Sequence, residues 1–186
     1  ILAVTFTNKA ADEMQERAGQ LLGKRQTERP EISTFHSLCV RVLRRQIQRL
    51  GYPTKFAIYD RGDQEALARR ALREIRVPSE QLRPGDLLGF IGRWKSAAVR
   101  PTAAIAAAAT DKEHLAAAGY RKYQTALKSA GAVDFDDLLM LTEEVFSQHP
   151  AARRAEAARF DHVLIDEYQD TNGSQYRIVQ ALAEGH

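Results

Sequence analysis

The chain has 186 residues, 44% of them hydrophobic and 27% charged, which suffices for one substantial core with a smaller satellite domain and predicts a globular protein. Its net charge of +3 is too small to argue for nucleic acid, although residues 15–50 hold eight Lys and Arg against three Glu and the chain turns acidic after Asp134. A single cysteine, Cys39, excludes an internal disulfide and fits a reducing cytosol, and no run of about 18 apolar residues is present to cross a membrane, so cytoplasm is the compartment suggested.

The first predicted unit is a strand, a turn and a helix. Ile1 to Phe6 is apolar and β-rich, and the pattern breaks at Thr7-Asn8-Lys9. Ala11, Met14, Ala18, Leu21 and Leu22 then share one helical face, with Asp12 and Glu13 expected in the first turn, where the helix dipole favours them. The turn Thr5-Phe6-Thr7-Asn8 offers hydroxyls, an amide and a helix N-terminus to a phosphate, and a ring to a base. An ordinary capped strand-to-helix turn has the same spacing. With no initiator Met and no signal-type flank before this strand, the chain reads as a piece of something longer. Gly19-Gln20-Leu21-Leu22-Gly23-Lys24 imitates a phosphate-binding loop, but it is one spacer short, continues with Arg25 instead of Ser or Thr, and follows a helix. It reads as a helix end with Gly23 as a left-handed cap. No segment supplies Gly-x-x-x-x-Gly-Lys-Ser/Thr, so a triphosphate cradle is absent from these residues.

After Pro30, Ile32 to Ser37 reads as a short strand passing into a helix near Ser37. Cys39, Val42, Leu43, Ile47 and Leu50 form its buried stripe, and Arg41, Arg44, Arg45 and Arg49 are expected to be solvated. His36, alone at a strand end, has no Cys, His or carboxylate at metal-ligand spacing and reads as a structural residue. From Gly51 to about Ala132 the texture becomes helical, with one helix over residues 63–76 and turns marked by Pro78, Pro84-Gly85 and Pro101. The alanine-rich stretch Ala103 to Ala118 predicts lightly packed helix broken near Thr110-Asp111. Arg93-Trp94-Lys95 reads either as a stacking and phosphate patch or as partly buried packing. Asp134 or Asp136 then caps a helix running through Phe146, and an Ala/Arg helix follows Pro150.

The last strand is Val163-Leu164-Ile165, an unbroken apolar run as expected for burial on both faces of a parallel sheet. Asp166 and Glu167 follow at its carboxyl end, where open α/β sheets bind their ligands. Asp166 can hold Mg²⁺ beside a nucleotide's phosphates while Glu167 orients and deprotonates a water. The same pair can instead cap the next helix at Thr171-Asn172.

The longer string Asp166-Glu167-Tyr168-Gln169-Asp170-Thr171-Asn172 resembles motif II of the superfamily-one DNA helicases of the UvrD, Rep and PcrA type. Ala3 to Met14 resembles their motif Ia, Thr34-Phe35-His36-Ser37 their motif Ib, and Asp134-Phe135-Asp136-Asp137-Leu138 another segment of the family, all in the family's order. The resemblance implies a partial RecA-like P-loop NTPase motor domain, a parallel sheet with flanking helices carrying an all-helical inserted subdomain. Residues 1–60 would be its first part, 61–133 the helical 1B insertion and 134–186 the second part with motif II. It implies an ATP-dependent helicase that moves 3′ to 5′ on single-stranded DNA, with ATP and Mg²⁺ as cofactors, a duplex junction as substrate and repair or replication proteins as further partners. By this resemblance Glu167, Asp166 and Gln169 are catalytic, Asp166 and Glu167 meet the metal, and Thr5, Phe6, Thr7, Asn8, Thr34 and His36 contact DNA at the opposite rim of the sheet. Without a Walker A loop these residues are not expected to hydrolyse ATP alone. A helicase subunit of a recombination nuclease complex and a non-catalytic single-stranded-DNA-binding module are the alternatives.

Overall fold

The computed structural model describes residues 1–23 and 29–184, so Lys24 and Arg25 of the phosphate-loop look-alike lie outside the described residues. In chain order the described elements are β1 (Leu2–Thr5), α1 (Asn8–Leu22), β2 (Glu31–Thr34), α2 (Phe35–Gln46), β3 (Ala57–Ile58), α3 (Arg61–Glu74), α4 (Pro84–Ser96), α5 (Asp111–Ser129), β4 (Ala132–Val133), α6 (Phe135–Gln148), α7 (Pro150–Ala157), β5 (Val163–Ile165) and α8 (Gly173–Ala183). The predicted α/β class holds: β2, β1 and β5 form a parallel sheet in that order, flanked by helices. β1 is buried along its whole length, because a strand pairs with it on each side and helices cover it. β5 departs from expectation. It is an edge strand of the described sheet, and Leu164 is 58% exposed where the apolar run predicted burial on both faces.

Local chemistry sets the helix starts. Thr7 caps α1 by accepting the Ala10 N–H, so the helix begins at Asn8 and Asp12 and Glu13 fall beyond its first turn, contrary to the sequence reading. Only Ala11 of the α1 stripe is fully buried, and Leu21 is 87% exposed. Gly23 closes the helix at φ 68° and ψ −178°, a conformation open to glycine but outside the left-handed helical basin expected of a cap. α2 starts at Phe35, capped by Thr34, and buries Cys39, Val42 and Leu43 as the pattern indicated.

The α2 arginines are not simply solvated. Arg41 pairs with Glu31 at 2.7 Å and reaches Ser33, and Arg45 pairs with the buried Glu156 at 2.6 Å. Arg44 donates to the Thr54 and Phe56 carbonyls and lies over the Phe56 ring, while Arg49 bonds Gln46. Three of these four arginines therefore hold elements together.

Two apolar cores result. One gathers β1, α2, α6 and α8 around Leu2, Phe35, Leu43, Leu138, Val145 and Ile178. The other gathers α3, α4 and α5 around Leu72, Leu87, Ile91, Trp94, Tyr120 and Leu127. Gly119 permits the close approach of α4 and α5, since a Cβ there would lie 3.0 Å from Leu87. Trp94 stacks on Tyr120 and Lys95 is 2% exposed, so these two are packing, while Arg93 stays exposed over the Phe90 ring. Thr110 caps α5 in a reciprocal pair with Glu113, as the predicted break requires, but residues 101–107 form turns in place of the alanine helix. Helix propensity alone does not hold a short segment that buries little. β3 and the start of β4 fall within the segment read as helical, and the two strands pair in parallel, Ile58 opposite Val133. No described helix is long and apolar enough to cross a membrane.

Where the cores meet, the Lys95 ammonium lies 2.6 Å from Asp134 and 2.8 Å from Asp137. Asp134 caps α6 in a reciprocal pair with Asp137, accepts from the Tyr123 hydroxyl at 2.9 Å, and leaves Asp137 to accept from Gln124. Burial disfavours the ammonium, but two carboxylates outweigh it and hold the Lys95 pKa up; loss of water pushes Asp137 above the usual carboxylate range despite that cation.

Candidate functional site

Because β1, β2 and β5 are parallel, their carboxyl ends share one rim. The turn after β1, the cap of α2 and the Asp166-Glu167 pair therefore converge there, and the expectation that DNA and nucleotide loops occupy opposite rims is corrected. The contact is direct. The Thr5 hydroxyl donates to Asp166 Oδ2 at 3.1 Å, and the Asp166 N–H donates to the Val4 carbonyl at 2.9 Å.

The Asp166 and Glu167 side chains are exposed beyond β5 and do not cap α8; Asn172 does, in a reciprocal pair with Gln175. Glu167 sits at φ 50°, a left-handed conformation that is strained for a non-glycine residue. A 3₁₀ turn over Tyr168–Asp170 follows it, its peptide carbonyl accepting the Asp170 N–H at 2.9 Å. The Gln169 amide donates to Glu167 Oε2, so two of the three side chains assigned to catalysis are already in contact. An exposed carboxylate at a strand end, steadied on one oxygen by a hydroxyl, suits Mg²⁺, which takes one or two carboxylates and completes its shell with water and phosphate.

The residues assigned to DNA divide by exposure. Thr5 is 2% exposed and its proton is engaged by Asp166. Thr34 is buried, accepts from the Ser37 N–H and donates to Ser37 Oγ, which gives its hydroxyl to the helix cap. Thr7 is exposed but also serves as a cap, and Asn8 is exposed at the first position of α1. Phe6 is half-buried, its ring 5.5 Å from that of Phe35 and inclined at 54°, so part of it still faces out. His36 is half-buried, and burial lowers its pKa and favours the neutral imidazole.

One residue was missed. Phe135, the first residue of α6, is 53% exposed and stacks on His36 with centroids 3.8 Å apart and planes 19° from parallel. The available signal was a ring directly after the capping Asp134, at a position that ordinarily turns to solvent. A cleft of about 160 Å³ beside this stack is lined by His36, Ser96, Asp136, Asn172 and Gln175, joining the α2 cap to α4, α6 and the start of α8.

All 186 residues match the family described as the UvrD/REP helicase N-terminal domain. The chain is 40% identical over 184 residues to the ATP-dependent DNA helicase PcrA of Leuconostoc citreum, covering 99% of this chain and 25% of that protein. It is 39% identical to PcrA of Staphylococcus aureus over 183 residues and to that of Bacillus subtilis over 184, covering 98% and 99% of this chain and 25% of each relative. It thus spans a quarter of the length of these relatives.

Proposed function

Since the chain belongs to the UvrD/REP helicase N-terminal domain family, we propose that it forms part of the first motor domain of an ATP-dependent, 3′ to 5′ DNA helicase. The observation carrying this reading is the common rim, where the Asp166-Glu167 pair and the turn after β1 meet through the Thr5 hydroxyl. The proposed division is 1–60 and 134–186 for the motor layer and 61–133 for the inserted lobe, supported by two cores that separate near β3 and β4.

When bound, Mg²⁺-ATP supplies the phosphoryl group to be transferred. Asp166 would hold the ion. Glu167 would accept the proton of the attacking water, and Gln169, already bonded to it, would orient that carboxylate and report the γ-phosphate. Single-stranded DNA crosses the same rim. Phe6 and Phe135 offer faces for stacking, Thr7 and Asn8 offer polar groups to the backbone, and His36 supports the Phe135 ring and offers a neutral hydrogen-bonding edge. Thr34 acts through its cap on α2, which sets the position of His36. A duplex junction, repair or replication proteins and a cytoplasmic setting complete the reading.

The test is strand separation by the full-length protein on duplexes with 3′ or 5′ single-stranded tails, with ATP and Mg²⁺. Unwinding confined to the 3′-tailed duplex is expected. A protein with neither DNA-stimulated ATP hydrolysis nor unwinding would be a binding module, and the proposal would fail.

A further inference from the structure

Building on the reading of Asp166 as the metal-side carboxylate, we infer that Thr5 positions that carboxylate and makes no contact with DNA. Thr5 closes β1 with its side chain turned inward, and its one hydroxyl proton is given to Asp166 Oδ2 at 3.1 Å. Asp166 is otherwise an exposed residue just past the end of an edge strand, tied to β1 through its N–H bond to the Val4 carbonyl. That backbone bond fixes the Asp166 peptide but leaves the carboxylate free to turn. The Thr5 hydroxyl supplies the second restraint, selecting which oxygen remains toward the crevice. Outer hydrogen bonds of this kind orient metal-binding groups, and their loss typically weakens metal affinity about 10- to 100-fold.

The string Thr5-Phe6-Thr7-Asn8 therefore divides in two. Its first residue faces inward to the nucleotide-side carboxylate, while the next three reach the surface. One strand end consequently serves both ligands.

Thr5→Val keeps the volume and the buried setting while removing the donor. In the full-length protein, binding of a fluorescent ATP analogue titrated with Mg²⁺ is expected to need about tenfold more Mg²⁺ for half-saturation. Thr5→Ser is expected to restore the wild-type midpoint, and single-stranded-DNA affinity without nucleotide is expected to be unchanged in both variants. Reduced DNA affinity with an unaltered Mg²⁺ midpoint would make Thr5 a DNA contact and overturn the inference, as would wild-type behaviour of Thr5→Val in both assays. Asp166→Ala separates the two levels. If it leaves the Mg²⁺ midpoint unmoved, the reading of Asp166 is wrong and the inference falls with it. If it abolishes Mg²⁺-dependent binding while Thr5→Val does nothing, only the inference falls.

Discussion

At the scale of single residues, Glu167 and Phe135 carry the sharpest consequences. Glu167→Gln keeps the size of the side chain but cannot take a proton, so DNA-stimulated ATP hydrolysis by the full-length protein is expected to fall about 100-fold or more, with ATP and DNA binding retained. Wild-type turnover in a steady-state ATPase assay would remove Glu167 from the role of base. Phe135→Ala is expected to weaken single-stranded-DNA binding about 5- to 150-fold, the range for losing one stacked ring, measured by fluorescence anisotropy across a salt series. Phe6→Ala belongs nearer the lower end, because part of that ring is already spent on Phe35. Burial lowers the His36 pKa, so the unfolded chain binds the proton first as pH falls below the ordinary histidine value of about 6.5. His36 therefore stabilises the fold above that pH relative to below it, and His36→Asn is expected to flatten the decline of thermal stability between pH 7 and 5.5. Much of this site was legible in the sequence, since strand-end carboxylates and polar turns carry recognisable strings. What could not be read was the orientation of each side chain. Thr5 and Thr7 are the same residue type two positions apart, yet one is buried against Asp166 and the other caps α1 at the surface.

At the scale of elements, helix starts were easier to read than helix ends. Thr110, Asp134 and Asn172 announce their helices, whereas two helices end on residues that give no sign of it. α3 and α4 both close with the next-but-one residue in a left-handed conformation, Arg76 at φ 56° and Ala98 at φ 55°. The N–H groups of Arg76 and Val77 bond back to Arg73 and Leu72, and those of Ala98 and Val99 to Lys95 and Trp94. Glycine is the usual occupant of that position because it has no Cβ to crowd the carbonyl. Arg76→Gly and Ala98→Gly are each expected to stabilise the protein by about 1 kcal/mol, seen as a higher midpoint in thermal unfolding. A lower midpoint for both would mean that the side chains contribute more than the backbone strain. Residues 101–107 failed in the opposite direction, because good helix formers lack a reason to stay helical when few of them are buried. β5 differs for a related reason: an apolar run identifies a strand, but not which of its neighbours lie among the described residues.

For the whole molecule, the change of texture along the chain coincides with the apolar core of α3, α4 and α5, but gives no sign of how that core is attached. Lys95, which looked like part of a cationic patch, is the buried tie between the two cores. Lys95→Met would leave Asp134 and Asp137 buried without their cation, a loss of about 3–5 kcal/mol expected in denaturant unfolding. A change below about 1 kcal/mol, within the range of an exposed pair, would show that water reaches the junction. A further attachment is the pairing of β3 with β4, which sets Ile58 against Val133 and brings the two ends of the lobe side by side. Its consequence lies in the order of folding. α2 and α6 are distant in sequence, and bringing them together across an unstructured lobe would require closing a long loop, whose entropic cost grows with length. A lobe that collapses early on its own apolar residues shortens that loop to almost nothing, so α2 and α6 can dock as near neighbours in the chain. Pulse-labelled hydrogen exchange during refolding is then expected to protect amides near Tyr120 and Tyr123 first, those of α2 and α6 next, and those of β5, at the edge of the described sheet, last.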